Sequence, residues 1–398
     1  MSYLRYFPIF VAMLLIVPIG LGQEAADVRH AQPPLFGVVA HNDTVQRILM
    51  ENVDIGTRLS DGQVDIPRLQ EGGVNVPFFA LWVPSYYKGS EAVRRTMDLR
   101  DAMQHVFDKY PDRIALAVSA RDIERIVGQH KIAVVLTIEG GHQIDNDLAV
   151  LRMYRRMGIL SMTLTHTHNN NWADSSTDTP EHDGLTSFGN EVVREMNRIG
   201  MIIDVSHVSD KTFYDVLRVS TKPVIASHSS CRSISDIPRN MSDDMLRALA
   251  RNGGVAGVSF GPSFLNQKNA DEFKQQMPHY NAIDPNLTGT ELDKFAVKQE
   301  VENSQDRPRV NYATITDVAD CIDHMVNVAG IEHVGIGSDF DGVGLALPRG
   351  LEDVSKMPAL TAVLLKRGYA ESDIQKIMGT NFLRVVREVV EQVPSPQQ

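Results

Sequence analysis

Only two cysteines, Cys231 and Cys321, occur in the 398 residues. Two cannot build a disulfide framework, so the fold must rest on a packed core, for which a 43% hydrophobic content is ample. Cys231 follows a His-Ser-Ser turn and Cys321 sits inside a helical pattern, and nothing in the sequence joins them. They are expected as two unrelated free thiols. Positive charge is also in short supply, with 39 Lys and Arg against 50 Asp and Glu and a formal charge of -11. No stretch gathers lysine and arginine into a face that could track phosphates, which excludes nucleic acid as a partner.

Long apolar runs are missing everywhere except near the N-terminus. There Arg5 precedes an apolar run from Ile9 to Val17, followed by Pro18, the small residues Gly20 and Gly22, and polar Gln23 and Glu24. That order is the pattern of a secretory signal, with cleavage expected near Gly22. The run is shorter than the roughly 20 residues needed to span a bilayer. The C-terminus ends in Pro394, Ser395, Pro396 and two glutamines, with no apolar tail to direct a lipid anchor. The expectation is a signal peptide over 1–22, an exported protein of a bacterial periplasm or secreted fluid with no stable membrane span, and a disordered tail over 394–398.

Short apolar runs alternate with amphipathic stretches, the pattern of parallel strands joined by crossover helices. Candidate strands are Phe36–Ala40, Val74–Ala80, Ile132–Ile138, Leu160–Thr165, Met201–Val205, Pro223–Ala226, Val255–Phe260 and His333–Gly337. Between them lie helical patterns such as Ile315, Val318, Ile322 and Met325 on one face, with Thr314 or Thr316 as N-cap and Gly330 as the stop. Eight strand-helix units favour an α/β fold closed as a TIM-type (β/α)8 barrel, one domain over 23–393, rather than an open sheet. A polar segment over 266–309 follows the seventh candidate strand and reads as an insertion on the C-terminal face. It serves either as a lid or oligomer contact, the latter compatible with a homodimer, or as a solvated excursion with no role.

Histidines and carboxylates fall where those strands end. His41 and Asp43 follow the first at a spacing of two, which puts both on one side of an extended chain. Glu139, His166, His207, His228 and Asp339 follow five others. Each alone is commonly a hydrogen-bonded core residue or a helix cap. Seven at six strand ends, which a barrel brings to one rim, point to a metal site. Imidazole and carboxylate without thiolate suit zinc, and admit cobalt or manganese. His41, Asp43, Glu139, His207 and His228 are too many ligands for one catalytic zinc with an open position. Two ions bridged by Glu139 would each have three protein ligands, and a hydroxide held between them would be the nucleophile.

The motifs HND at 41–43, EGGH at 139–142, LTH at 164–166, NNNWADSS at 169–176 and IDVSHVS at 203–209 resemble those of the membrane (renal) dipeptidases, which are zinc metallopeptidases. SHSS at 227–230, RN at 239–240, GIGSDFDGV at 335–343 and GTNFLRV at 379–385 continue the likeness in the family's order across nearly the whole mature chain. The resemblance implies a binuclear-zinc barrel that hydrolyses the peptide bond of dipeptides. It also implies roles: His166 would bind the oxygen of the tetrahedral intermediate, Arg239 the substrate carboxylate, and Asp339 would shuttle a proton. After the seventh candidate strand, Gly261 and Pro262 stand where some relatives place a substrate-contacting tyrosine, so the side-chain pocket differs.

Three other readings compete. Gly257 to Gly261 spell GxSxG, but Pro262 follows almost at once where a serine-hydrolase elbow needs a helix, and small residues closing a tight strand explain it more simply. A non-catalytic exported binding protein of the same fold should have lost ligands, and this chain keeps all five. A two-metal amidohydrolase acting on a lactam, lactone or N-acyl amino acid is the stronger rival, and Arg239 discriminates, since a substrate without a free carboxylate would not need it.

Overall fold

The computed structural model describes residues 36–275, 287–295, 312–343 and 347–391. The expected signal segment, most of the polar insertion and the C-terminal tail lie outside them. Among the described residues no helix is long and apolar enough to cross a membrane.

The strands are β1 (Val38–Val39), β2 (His41–Asn42), β3 (Val76–Trp82), β4 (Ile114–Leu116), β5 (Ile132–Glu139), β6 (Ile159–Thr163), β7 (Ile202–Asp204), β8 (Ile225–Ala226), β9 (Val255–Ser259) and β10 (Val334–Phe340). All their pairings are parallel, in the order β1-β3-β5-β6-β7-β8-β9-β10-β2. β1 and β2 are two halves of one strand interrupted at Ala40. The first half pairs with β3 and the second with β10, so this broken strand closes the ring. Ala40 N–H donates to Ile336 O at 2.9 Å, which keeps the interruption tied to β10. Counted this way, eight strands form an α/β barrel, and each of the eight candidate runs is one of them. β4 is additional and pairs with the start of β5, outside the ring.

Side-chain alternation divides the apolar residues between two cores. On β3, Val76 and Phe78 belong to one cluster while Phe79 and Leu81 belong to another. On β5, Ala133 and Val135 separate in the same way from Val134 and Leu136. The smaller cluster also holds Val38, Leu160, Ile202, Ile225 and Val255 from near the strand starts, together with Phe382, Val385, Val386 and Val389 of the helix Asn381–Val390. That last helix therefore plugs the N-terminal end of the barrel. Its Phe382 ring lies 6.1 Å from that of Phe78 and against Gly335, where a Cβ would collide with it. Asn381 fixes the plug by donating to Ile331 O at 2.7 Å and Val334 O at 2.8 Å.

The barrel centre is narrow at β9 and β10. A Cβ on either Gly257 or Gly337 would strike Ser227 O, and the two glycines also approach each other. Packing thus accounts for the glycine before Ser259. A short helix, Pro262–Leu265, does follow Gly261, with the proline at its first turn, which corrects the expectation that Pro262 precludes one; Ser259 is nevertheless fully buried at the end of β9, which removes it as an exposed nucleophile.

Thr314 is the N-cap of the helix Ile315–Ala329, in a reciprocal capping box with Asp317, and Gly330 ends it. The two cysteines are free thiols, as expected, but they are not unrelated: the β8 loop meets this helix, and Cys231 Sγ lies 2.9 Å from Cys321 Sγ, both buried. Of the polar insertion, residues 287–295 pack over the loop that follows β3. Asp293 accepts from Tyr87 at 2.7 Å and from Arg94 at 3.0 Å, and Phe295 meets Tyr86 edge to face.

Phe382→Ala would open a void under the whole ring of strands. We expect a loss of about 3–5 kcal/mol, read as a lower denaturant midpoint at unchanged m-value.

Candidate metal centre

The inward face of β5 runs Val135, Thr137, Glu139, from apolar at the middle of the barrel to ionisable at its C-terminal rim. Trp82 neighbours Glu139 in register on β3, Thr163 neighbours it on β6, and Asp204 neighbours Thr163 on β7. The Glu139 carboxylate is buried and divides its oxygens. Oε2 lies 3.3 Å from His41 Nε2, while Oε1 lies 2.9 Å from His207 Nε2 and 3.3 Å from His228 Nε2. His41 Nε2 is also 3.4 Å from Asp43 Oδ2 and 3.9 Å from Asp339 Oδ1, and His166 Nε2 is 3.9 Å from Glu139 Oε1. All seven strand-end residues therefore share one cluster.

Three subsets of this cluster bring ligand atoms within 4.8 Å of one another: His41, Glu139 and His228; Glu139, His166 and His207; and His41, Asp43 and Asp339. His41 Nε2, Asp43 Oδ1 and His207 Nδ1 are buried with no hydrogen-bond partner, and His207 and His228 aim their Nε2 atoms at each other across 2.9 Å. Buried polar groups are rarely left so. A donor set of imidazoles and carboxylates with unmet bonding capacity fits a divalent cation.

The electrostatics divide the imidazoles. Burial disfavours a charged His41, but the carboxylates of Glu139 and Asp43 outweigh it and hold its pKa well above the ordinary value. Burial drives His207 and His228 well below theirs, leaving neutral imidazoles. His166 is lowered to about 4 by burial, helped by the Arg239 charge. Asp339 is pushed up to about 7 by burial, with His41 opposing and Asp43 and Glu139 adding to the rise.

Three of the residues that shape this rim hold left-handed backbone conformations unusual for side chains other than glycine: His207 at φ 69°, Ser338 at 64° and Asp339 at 72°. Such positions cost of order 1–3 kcal/mol each and persist where the surroundings over-determine them. Ser338 is held by donating to His41 O at 2.8 Å, at a point where the pairing of β10 with both neighbours changes register. That irregularity turns Asp339 toward His41. Asp341 instead accepts from Thr44 at 2.7 Å and Gln63 N–H at 2.8 Å, which removes it from the centre.

Several motif residues are scaffolding. Asn42 donates to Phe78 O at 2.7 Å and locks β2 to β3. Asn170 donates to Leu164 O at 2.7 Å, Ser175 to His166 O, and Ser176 N–H to His207 O at 2.7 Å, so the segment 169–176 fixes the backbone of two imidazoles. Two supports of the centre were not foreseen in the sequence. Buried Asp204 accepts from Thr163 and Ser227 hydroxyls at 2.6 Å each and from the Ser206 and Ser227 N–H groups, and the same Ser227 Oγ lies 2.8 Å from His228 Nδ1. This relay sets the His228 ring with Nε2 facing the cluster. The indole of Trp82 lies 5.3 Å from the His166 ring and walls the rim there. Asp204 lies inside IDVSHVS, but only the β7–β8 contact reveals its partner.

Arg239 comes from the long β8 loop. Asn240 pins that loop, accepting from Ser230 N–H at 3.0 Å and donating to Ser235 O at 2.8 Å and Phe264 O at 2.9 Å. Among the described residues the guanidinium makes only long hydrogen bonds, 3.4 Å to Ser229 Oγ and 3.3 Å to His228 O, and it lies 5.2 Å over the Phe264 ring. Burial lowers its pKa to about 10, with Asp339 and Glu139 opposing, so it stays a cation. Among the described residues no carboxylate pairs with it.

A parallel barrel with imidazoles and carboxylates converging at the C-terminal rim is the architecture of a metal-dependent hydrolase. A sequence model of the membrane dipeptidase family, peptidase family M19, matches residues 29–398. The chain belongs to that family of metallopeptidases and is an enzyme of its class. It is 38% identical over 338 residues to dipeptidase tcpJ of Claviceps purpurea, covering 82% of this chain and 69% of that one. With dipeptidase 3 of Mus musculus it shares 35% over 362 residues, 88% of this chain and 64% of the mouse protein. Among solved structures, the probable dipeptidase PvdM of Pseudomonas aeruginosa superposes with a TM-score of 0.77 at 26% identity, covering 93% of this chain and all of that one. A metallopeptidase of Rhodobacter sphaeroides, solved with a phosphinate mimic of the dipeptide L-Ala-D-Ala, shares the fold at a TM-score of 0.74 and 23% identity.

Removing the Ser227 hydroxyl would free the His228 ring. Ser227→Ala should weaken divalent-metal affinity by about 10- to 100-fold in competition with a chromogenic chelator; unchanged affinity would show that Asp204 and Ser227 serve the fold alone.

Proposed function

We propose that this chain is a binuclear-zinc dipeptidase. His41, Asp43 and Glu139 would hold one ion, and Glu139, His207 and His228 would hold the other. The observation that carries the binuclear reading is the Glu139 carboxylate, whose two oxygens face different groups of imidazoles. When bound, the ions supply a water acidified toward neutral pH and polarise the scissile carbonyl.

The chain's own residues supply the rest. The Arg239 guanidinium, half-buried and with no carboxylate partner among the described residues, takes the free carboxylate of the dipeptide in a planar two-donor fork. His166, kept neutral by burial, offers one N–H to the oxygen that gains charge as the carbonyl becomes tetrahedral. Asp339, whose pKa burial raises into the neutral range, accepts a proton from the attacking water at its carboxylate and returns it to the leaving amine. Trp82, beside the His166 ring, borders the rim on the β3 side.

Two substitutions test these roles. Arg239→Ala should raise KM for dipeptides by about 30- to 1000-fold, the cost of leaving a buried charge partner unpaired, while a dipeptide amide should barely distinguish variant from parent. Equal KM values for the acid substrate would favour a lactam, lactone or acylated amino acid lacking that carboxylate. Asp339→Asn should lower kcat by about 100- to 10,000-fold at unchanged metal content. Asp339 also lies with His41 and Asp43 within ligand distance, and loss of one ion in this variant would make it a ligand instead.

A further inference from the structure

We infer that Cys231 and Cys321 are a disulfide-forming pair that ties the loop bearing Arg239 to the helix leading into β10. The two thiols are 90 positions apart in the chain, both fully buried, with sulfurs 2.9 Å apart. They are the only cysteines in the sequence, so no competing partner exists within the chain. Cys231 Sγ also lies 3.5 Å from Cys321 O, which places it against the helix backbone as well as the thiol.

The position of the pair gives the link its consequence. Cys231 stands between His228 and Arg239, and its carbonyl is the hub of the loop, accepting from Ile234 N–H at 3.1 Å, Ser235 N–H at 3.0 Å and the Asn240 amide at 3.3 Å. Cys321 lies one turn before Met325 in the helix Ile315–Ala329, which delivers the chain to β10 and Asp339. A bond between them would join the carriers of Arg239 and Asp339 covalently and close a long loop that includes β9. Closing such a loop restricts the unfolded chain more than a short one would.

The chemistry requires a disulfide as oxidant, either a small-molecule disulfide or an oxidised dithiol protein. A thiolate at Cys231 attacks one sulfur of the oxidant, expelling a thiolate and forming a mixed disulfide. Cys321, as thiolate, then attacks Cys231 Sγ and expels the second oxidant sulfur. One S–S bond forms in the chain and one is lost from the oxidant, which takes up two electrons and, with the two thiol protons, leaves as two thiols. Because both sulfurs are sealed from solvent in the folded chain, the exchange takes place during folding, before the helix covers the loop. The bond rests on neither the metal count nor the substrate.

The full chain is refolded with oxidised glutathione, unfolded in the presence of an alkylating agent without reductant, digested and mapped by mass spectrometry. The expected result is one linked peptide pair containing Cys231 and Cys321, with neither alkylated until a reductant is added. Recovery of both residues alkylated without reduction would overturn the inference. As a second readout, Tm of the oxidised parent should fall by about 5 °C or more on reduction, while a Cys231→Ser, Cys321→Ser double variant should not respond. A parent Tm indifferent to reductant would equally count against the bond, and should the double variant fail to fold, the peptide map on the parent decides alone.

Discussion

The buried Glu139 carboxylate is the constraint on which the site depends. It lies in a space that also holds Asp43, Asp339 and four imidazoles, with Arg239 at the edge. Burying a carboxylate is costly unless opposite charge and hydrogen bonds compensate it, and here the surrounding imidazoles alone leave several polar atoms unmet. A divalent cation held by this cluster would resolve this. The chain has accordingly placed the residue where the barrel holds it most firmly, at the end of an eight-residue strand paired on both sides.

The barrel is organised to keep that end polar and the other end closed. Phe382 and the C-terminal helix fill the strand starts, and Gly257 and Gly337 allow β9 and β10 to approach Ser227 at the centre. With the lower half packed, the ionisable residues are confined to the rim. Around them, backbone positions that would be unfavourable elsewhere are enforced by specific bonds, as with Ser338 to His41 O and Ser176 to His207 O. The same economy appears in the β8 loop, where Asn240 fixes the backbone and leaves its neighbour Arg239 with no carboxylate partner among the described residues.

Much of the barrel was legible because parallel strands buried on both faces read as compact apolar runs, and all eight were recognisable from that alone. β4 was not, because Ile114–Leu116 is three residues long and pairs outside the ring. The split of the first strand at Ala40 was equally hidden, since it depends on which neighbours close the barrel. Strand-end positions exposed the seven ionisable residues, because any one of them has a bland explanation but seven at six strand ends of a barrel meet at one rim. What the sequence withheld were contacts between distant segments. Asp204 reads as a strand residue until Ser227 is brought beside it, Trp82 falls beyond the candidate strand and draws no notice until His166 is placed, and Cys231 and Cys321 read as unrelated until a helix meets the β8 loop. Arg239 carried no local pattern at all, and its role was suggested by family likeness before the loop geometry supported it.

The central claim, that Glu139 bridges two ions which power the reaction, is tested most directly by the stoichiometry of tightly bound divalent metal in the purified chain, measured together with dipeptide hydrolysis as metal is removed and restored. Two zinc per chain, with hydrolysis lost on chelation and recovered as the second equivalent is added, is the predicted result. A chain that hydrolyses dipeptides with one ion or none would contradict it.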